Sequence, residues 1–317
     1  MINKPELDVA KLRKNIGNGV HRLRFGGISV PVCYRRGSND IMVVIFHGAV
    51  DRKKRTIPRF QPLLPNLGDC HQLSIADPTL EIDPAIAAGW YIGGESMPLQ
   101  ADLPGLLKTF STLSGVKKRL YLGGSSGGFA ALYYSWSDPG SICIAVNPQV
   151  NLASYKLGKS APTEYFAKKA WPCAGSFEAV SEQAVIDLST IYAQRFDNMV
   201  IYLQSIGDLR HYGVQLPNIC NIGLKSSKHF ILNSGYWGIP HHGNSVPSKT
   251  YYPWVQAVVT APWFDRQGIL DTHHALTAKS ASATDQTSPD NNKSVAMEDI
   301  RFADLLSHYH LRQTQGD

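Results

Sequence analysis

The sequence predicts an α/β fold, and three observations carry that prediction. Through the first two-thirds of the chain, short apolar runs alternate with segments of helical periodicity. A glycine-rich turn, Gly123 to Gly128, joins one such run to a helix of small residues. Finally, 43% of the 317 residues are hydrophobic and only 18% are charged. That is enough apolar material for a large core, and too little charge for a coiled coil or a disordered chain.

Val20 to Phe25 and Ile28 to Tyr34 read as an antiparallel pair turning at Gly26-Gly27. Ile41 to Phe46 is apolar at every position, as expected of a central strand buried on both faces. His71 to Asp77 is a weaker strand. Asp102 to Leu113 carries Leu103, Leu106, Leu107, Phe110 and Leu113 at helical spacing. Arg119 to Leu122 is a short strand, Phe129 to Trp136 a helix and Ser141 to Val146 the next strand. Residues 150–190 are less regular and read as a cap or insertion, with Phe177 to Ile191 helical. Met199 to Gln204 and His229 to Asn233 are further strands, and Thr250 to Val259 closes the domain as a helix. The catalytic domain is thus expected over 1–265. Residues 266–296, small and polar from 277 to 295, read as a flexible linker. Residues 297–317 regain helical periodicity, with Phe302, Leu305, Leu306 and Tyr309 on one face.

The longest strongly apolar run, Ile41 to Phe46, is far short of the roughly 20 residues a spanning helix needs. The first 16 residues are charged and lack the apolar core of a secretory signal. The expected location is cytoplasmic. Five cysteines, Cys33, Cys70, Cys143, Cys173 and Cys220, form no C-x-x-C pair and read as reduced thiols, with no metal site expected. The net charge is +6; residues 1–36 alone hold eight Lys/Arg against Glu6 and Asp8. A second basic cluster is Arg52-Lys53-Lys54-Arg55, followed by Arg59. No nucleic-acid motif accompanies this charge, so a nucleic-acid partner is not expected.

The chemistry concentrates at Gly123-Gly124-Ser125-Ser126-Gly127-Gly128, between a strand and a helix. A G-x-S-x-G turn in that setting holds a serine in a strained conformation at a helix N-terminus. Ser126, with Gly124 before and Gly128 after, is the expected nucleophile, and Ser125 is its rival. No lysine follows at the position a phosphate-binding loop requires. The serine needs a base and an orienting acid. Asp208 follows the Met199 strand directly and fits the acid; Asp197 precedes that strand, at the wrong end of the sheet. His242, followed by Gly243, fits the base, with His241 as runner-up; His211, His273 and His274 are less well placed. Phe46-His47-Gly48-Ala49 closes the central strand and suits an oxyanion loop. Backbone N–H groups of Gly127 and of Ala49 or Gly48 are the expected donors, with His47 holding the loop.

In the order oxyanion strand, Ser, Asp, His, these pieces resemble the α/β-hydrolase superfamily over roughly residues 20–262. That resemblance implies an eight-stranded, mostly parallel sheet with helices on both faces, and acyl transfer through a seryl intermediate. The phrases FHGAV, IADPTL, GWYIGG, GGSSGGFAALYYS and VNPQVNL also resemble bacterial capsule O-acetyltransferases of this fold. The narrower resemblance implies acetyl transfer to a bacterial surface polysaccharide, with acetyl-CoA as co-substrate and no bound cofactor. An esterase acting on a carbohydrate or small ester is the alternative. A catalytically silent assembly protein on the same scaffold is a second one. Arg52, Lys53, Lys54 and Arg55, next to the oxyanion turn, are candidates for holding an anionic donor or substrate. The segment 297–312 is a candidate for docking onto a partner or for homo-oligomer formation.

Overall fold

The computed structural model describes residues 6–12, 16–155, 162–237 and 246–285. Among these residues, nine strands form one sheet in the order β1-β2-β3-β5-β4-β6-β7-β8-β9. They are β1 (Glu6–Asp8), β2 (Gly19–Phe25), β3 (Ile28–Arg35), β4 (Ile41–Phe46), β5 (His71–Ile75), β6 (Lys118–Gly124), β7 (Ile142–Val146), β8 (Met199–Ser205) and β9 (Phe230–Gly235). β3 pairs antiparallel with both β2 and β5; every other pairing is parallel. The strand beyond the expected eight is β1, an edge strand in the charged N-terminal segment. Ion pairs help to hold it: Arg24 of β2 reaches Asp8 at 3.3 Å and Glu6 at 3.6 Å. Part of the N-terminal positive charge is therefore spent inside the fold, as is Arg22, paired with Glu81 at 2.7 Å.

Alternation along the central strands sorts the core into two halves. Met42, Val44 and Phe46 of β4 pack with α1 (Leu99–Leu113) and α2 (Ser126–Trp136). Val43 and Ile45 pack on the other face with α6 (Ser248–Thr260) and α7 (Arg266–Asp285). Every residue of β4 is buried, as its unbroken apolar run requires. β5 is buried too, despite His71, Gln72 and Ser74, because each polar side chain has a partner. Tyr34 Oη lies 2.6 Å from His71 Nδ1, Gln72 brackets the backbone of Leu64, and Ser74 donates to the Gln61 carbonyl.

Between β7 and β8 lies the insertion, with α3 (Pro162–Ala170) and α4 (Leu188–Gln194). The helix expected over Phe177 to Ile191 is broken: a 3₁₀ turn covers Glu178–Glu182, and α4 starts only at Leu188. The reason is a long-range clamp. Gln100 of α1 donates to the Val185 carbonyl and accepts its N–H, taking both groups that a helix would have used. A further helix, α5 (Leu216–Lys225), follows β8.

The linker expected from residue 266 is corrected. Residues 266–285 form α7, which begins in the same contact unit as the sheet, Met1–Leu276; Thr277–Asp317 forms a second unit. Ile269 is fully buried, and His273 stacks on Trp254 with ring centroids 3.6 Å apart. The expected linker from 286 to 296 and the helix over 297–317 lie outside the described residues. Among the described residues, no helix is long and apolar enough to cross a membrane. All five cysteines are free thiols.

Truncating Ile269 to alanine should cost about 2–5 kcal/mol, the range for emptying a buried isoleucine site. Chemical denaturation would read this as a lower midpoint; an unchanged midpoint would restore the linker assignment.

Candidate active site

The parallel strands bring the C-terminal ends of β4, β6, β7 and β8 to one edge of the sheet, where α/β sheets collect their ligands. At the end of β6 the chain turns sharply into α2. The strained residue is Ser125, with φ 54° and ψ −119°, and Ser126 is already the first residue of the helix. The expectation that Ser126 sits at the apex is therefore corrected. Ser125 also has glycines two before and two after, Gly123 and Gly127, so the glycine spacing fits either serine. Register decides between them. The Ser125 N–H still bonds the Val146 carbonyl of β7 at 3.0 Å, while its own carbonyl accepts from Gly128 and Phe129 and opens the helix. Ser126 is 3% exposed and faces the interior, whereas Ser125 is half-buried and reachable.

Two glycines make this turn possible. A Cβ on Gly127 would lie 2.6 Å from the His47 carbonyl oxygen, and one on Gly123 would run into the Gly127 carbonyl. This close approach puts the loop after β4 beside Ser125: Gly48 lies against the Gly124 carbonyl and the Ser125 Cβ. Gly127, expected as an oxyanion donor, is a packing residue against β4. The residue that follows Ser125 is Ser126. Among the described residues, the N–H groups of Ser126, Gly48 and Ala49 are taken by no partner.

His47 holds that loop. Its Nε2 accepts the Asp77 N–H at 3.0 Å, which leaves Nδ1 protonated and donating to the Gly48 carbonyl at 2.6 Å. In a trans peptide the carbonyl and the next N–H point opposite ways, so anchoring the Gly48 carbonyl turns the Ala49 N–H away from His47. Burial pushes the His47 imidazole below its usual range, and the neutral ring is the form that fits these two bonds. The buried Asp77 carboxylate accepts N–H groups from Thr79 and Tyr91 at 3.0 and 3.1 Å.

Asp208 stands just beyond β8, at the expected end of the sheet. Its Oδ2 accepts from Asn147 Nδ2 at 3.2 Å and from His211 Nδ1 at 2.8 Å. Asn147, in the turn after β7, also accepts the Ser205 N–H at 2.7 Å and so ties the ends of β7 and β8 together. His211, ranked low from the sequence, is the imidazole that Asp208 holds among the described residues. Its Nε2 is buried without a partner there. It opens a π-turn, His211–Gln215, a local distortion frequent at functional sites. His241 and His242 lie outside the described residues.

Two residues that sequence reasoning passed over complete the picture. Gln149 donates from Nε2 to Ser125 Oγ at 3.3 Å and accepts the indole N–H of Trp90. Both stand inside phrases that carried the resemblance, VNPQVNL and GWYIGG.

Of the basic cluster, Arg52 is structural: its guanidinium donates to the carbonyls of Leu80 and Ile86, both at 2.9 Å. Lys53, Lys54 and Arg55 are exposed, and Lys54 pairs with Asp51 at 3.6 Å. Arg59 is half-buried, and its charge helps lower the His47 pKa.

The fold is that of the α/β-hydrolases. It is similar to the capsule O-acetyltransferase of Neisseria meningitidis serogroup A, with a TM-score of 0.53 and 17% identity, over 78% of this chain and 97% of that one. It is also similar to the Pyrococcus horikoshii acylaminoacyl peptidase, with a TM-score of 0.54 and 12% identity, over 83% of this chain and 45% of that one. A third neighbour is the 2,6-dihydroxy-pseudo-oxynicotine hydrolase, with a TM-score of 0.51 and 16% identity, over 77% of this chain and 68% of that one. No family model and no curated protein sequence matches the chain.

Because burial lowers the folded-state pKa of His47, the unfolded chain binds the proton first as pH falls. The stability His47 contributes is present above about pH 6.5, its unfolded pKa, and is lost as pH drops toward the folded value. His71 and His273, the latter lowered to about 4, add to the same acid lability. His47→Asn should therefore lower the melting temperature at pH 7.5 and also shrink the drop between pH 7.5 and 5. An unchanged drop would show that His47 is not neutral in the fold.

Proposed function

We propose that this chain is a serine acyltransferase that moves an acetyl group from acetyl-CoA to a hydroxyl of a bacterial surface polysaccharide. The observation that carries the reading is Ser125, held reachable at φ 54° beside a loop whose Gly48 and Ala49 N–H groups are unspent. In this reading Ser125 Oγ attacks the thioester carbonyl. The Ser126 N–H and the Ala49 or Gly48 N–H receive the oxyanion, each worth about 2.7–4 kcal/mol by the standard of such donors. Asp208 orients and stabilises the imidazole that takes the serine proton. His242 is the first choice for that base and His241 the second, since both follow β9 in the chain order the fold requires. His211 is the competing base, favoured by its 2.8 Å bond to Asp208.

The finer assignment has two supports. The chain matches nearly the whole length of the Neisseria capsule O-acetyltransferase but under half of the peptidase. Exposed Lys53, Lys54 and Arg55, with Arg59 beside them, flank the oxyanion turn and suit the phosphates of a CoA donor. Hydrolysis by the same acyl-enzyme is the second reading, favoured by the access water has to the half-buried Ser125.

Rapid-quench intact mass with acetyl-CoA should show one acetyl adduct, mapped to Ser125. Ser125→Ala should abolish it, with loss of turnover of about 10³-fold or more, and Ser126→Ala should keep it. An adduct on Ser126, or a Ser125→Ala variant near wild type, would overturn the assignment. Turnover of simple esters without an acetyl-CoA adduct would select the esterase. Among the histidines, His242→Ala should lose the adduct, and its survival there but not in His211→Ala would move the base to His211.

Neutralising Lys53, Arg55 and Arg59 together should raise KM for acetyl-CoA by roughly 10-fold, in line with losing charge-assisted phosphate contacts. KM for a neutral ester should stay within about 2-fold on the same reasoning. Equal effects on both would remove the phosphate role.

A further inference from the structure

We propose that Gln149 is a catalytic residue whose amide N–H carries part of the charge on Ser125 Oγ, and that Trp90 positions it to do so. This rests on Ser125 being the nucleophile.

Gln149 is 2% exposed, and its carboxamide is engaged at both ends. The Trp90 indole N–H donates to Oε1, and Nε2 donates to Ser125 Oγ at 3.3 Å. An indole is a donor only, so Oε1 must face Trp90 and the NH₂ must face the serine. Chemistry thus settles the amide orientation. The backbone is locked as well, because the Gln149 N–H donates to the Ser125 carbonyl at 3.3 Å.

The side chain doing the aiming sits in an unfavourable backbone conformation. Trp90 has φ 50° and Tyr91 φ 57°, two bulky, fully buried residues in succession in the left-handed region. Such strain persists only where the surroundings hold it, and it gathers at functional sites. Here Asp77 holds the Tyr91 N–H, and the Tyr134 hydroxyl donates to the Tyr91 carbonyl at 2.7 Å.

The chemical role follows from the two half-reactions. In acylation Oγ bonds to the acyl carbon, its proton passes to the base, and the bond from that carbon to the leaving group breaks. In deacylation an acceptor hydroxyl attacks and gives its proton to the base. The acyl carbon–Oγ bond then breaks, its electron pair stays on Oγ, and the base returns the proton there. Negative charge gathers on Oγ in both transition states. An N–H already aimed at Oγ stabilises both more than the resting hydroxyl. At rest it fills an Oγ lone pair and leaves the hydroxyl hydrogen free to face the base.

The test is stopped-flow burst kinetics with p-nitrophenyl acetate on the full chain. Burst amplitude counts competent sites, so the rate per site is independent of any misfolded fraction. Gln149→Met should slow the acylation burst roughly 10- to 100-fold, with the ester binding constant within about 3-fold. Gln149→Asn draws the amide back by one methylene and should lose nearly as much while keeping a polar group. Trp90→Phe keeps a ring, removes the N–H and should give a smaller loss. Burst rates within 2-fold of wild type in Gln149→Met and Gln149→Asn would overturn the proposal, even if both melt earlier. A wild-type chain with neither a burst nor an acyl-Ser125 adduct would instead overturn the nucleophile assignment.

Discussion

The site depends on one buried carboxylate. Asp77 lies two residues past β5, and burial raises its pKa; hydrogen bonds from Thr79 and Tyr91, together with the neighbouring His47, oppose that rise. A buried charge without such donors would cost several kcal/mol. The bonds run outward from there. The Asp77 backbone N–H sets the His47 tautomer, and His47 sets the Gly48 carbonyl. The Asp77 side chain holds Tyr91, whose hydroxyl accepts the His47 N–H and donates to the Ile75 carbonyl. Tyr91 in turn keeps Trp90 in place against Gln149. One residue therefore supports both the loop after β4 and the group that touches the serine.

Parallel strands make this economy possible. β4, β6, β7 and β8 all end at the same edge, so four loops distant in sequence meet there without any loop having to travel. The ends are cross-linked by side chains as well as by the sheet: Asn147 joins β7 to β8, and Gly127 presses the β6 turn onto the end of β4. The result is a cross-linked frame around the serine, and fixed dipoles act most effectively where the surrounding groups do not have to reorganise.

Much of the fold was legible because local chemistry decided it. The unbroken Ile41 to Phe46 run could only be a doubly buried strand, and β5 looked weak because three of its five residues are polar. What the sequence hid were decisions made by distant partners. Gln100 breaks the helix expected over Phe177 to Ile191 from about 85 residues away. Arg52 looked like a free cation in a basic loop until the carbonyls of Leu80 and Ile86 claimed it. α7 reads as linker because its small, polar residues mask the few that matter, Ile269 buried and His273 against Trp254.

The serine is the sharpest case of that limit. Gly-Gly-Ser-Ser-Gly-Gly holds two overlapping G-x-S-x-G frames, offset by one residue, and glycine content cannot separate them. The choice belongs to the sheet. β6 stays paired with β7 through Gly124 opposite Val146, so the first residue released from the ladder is Ser125. The helix must then start at Ser126, because Gly127 is the residue small enough to pass the His47 carbonyl. Shifting the turn by one residue would put the Ser126 side chain where Gly127 packs and would break the Ser125–Val146 bond. The same register sets Gln149, three residues past the end of β7, against Ser125 at both its backbone and its side chain. The strained serine and its neighbour are thus fixed by the length of the β6–β7 ladder, a property of two strands together that neither segment carries alone.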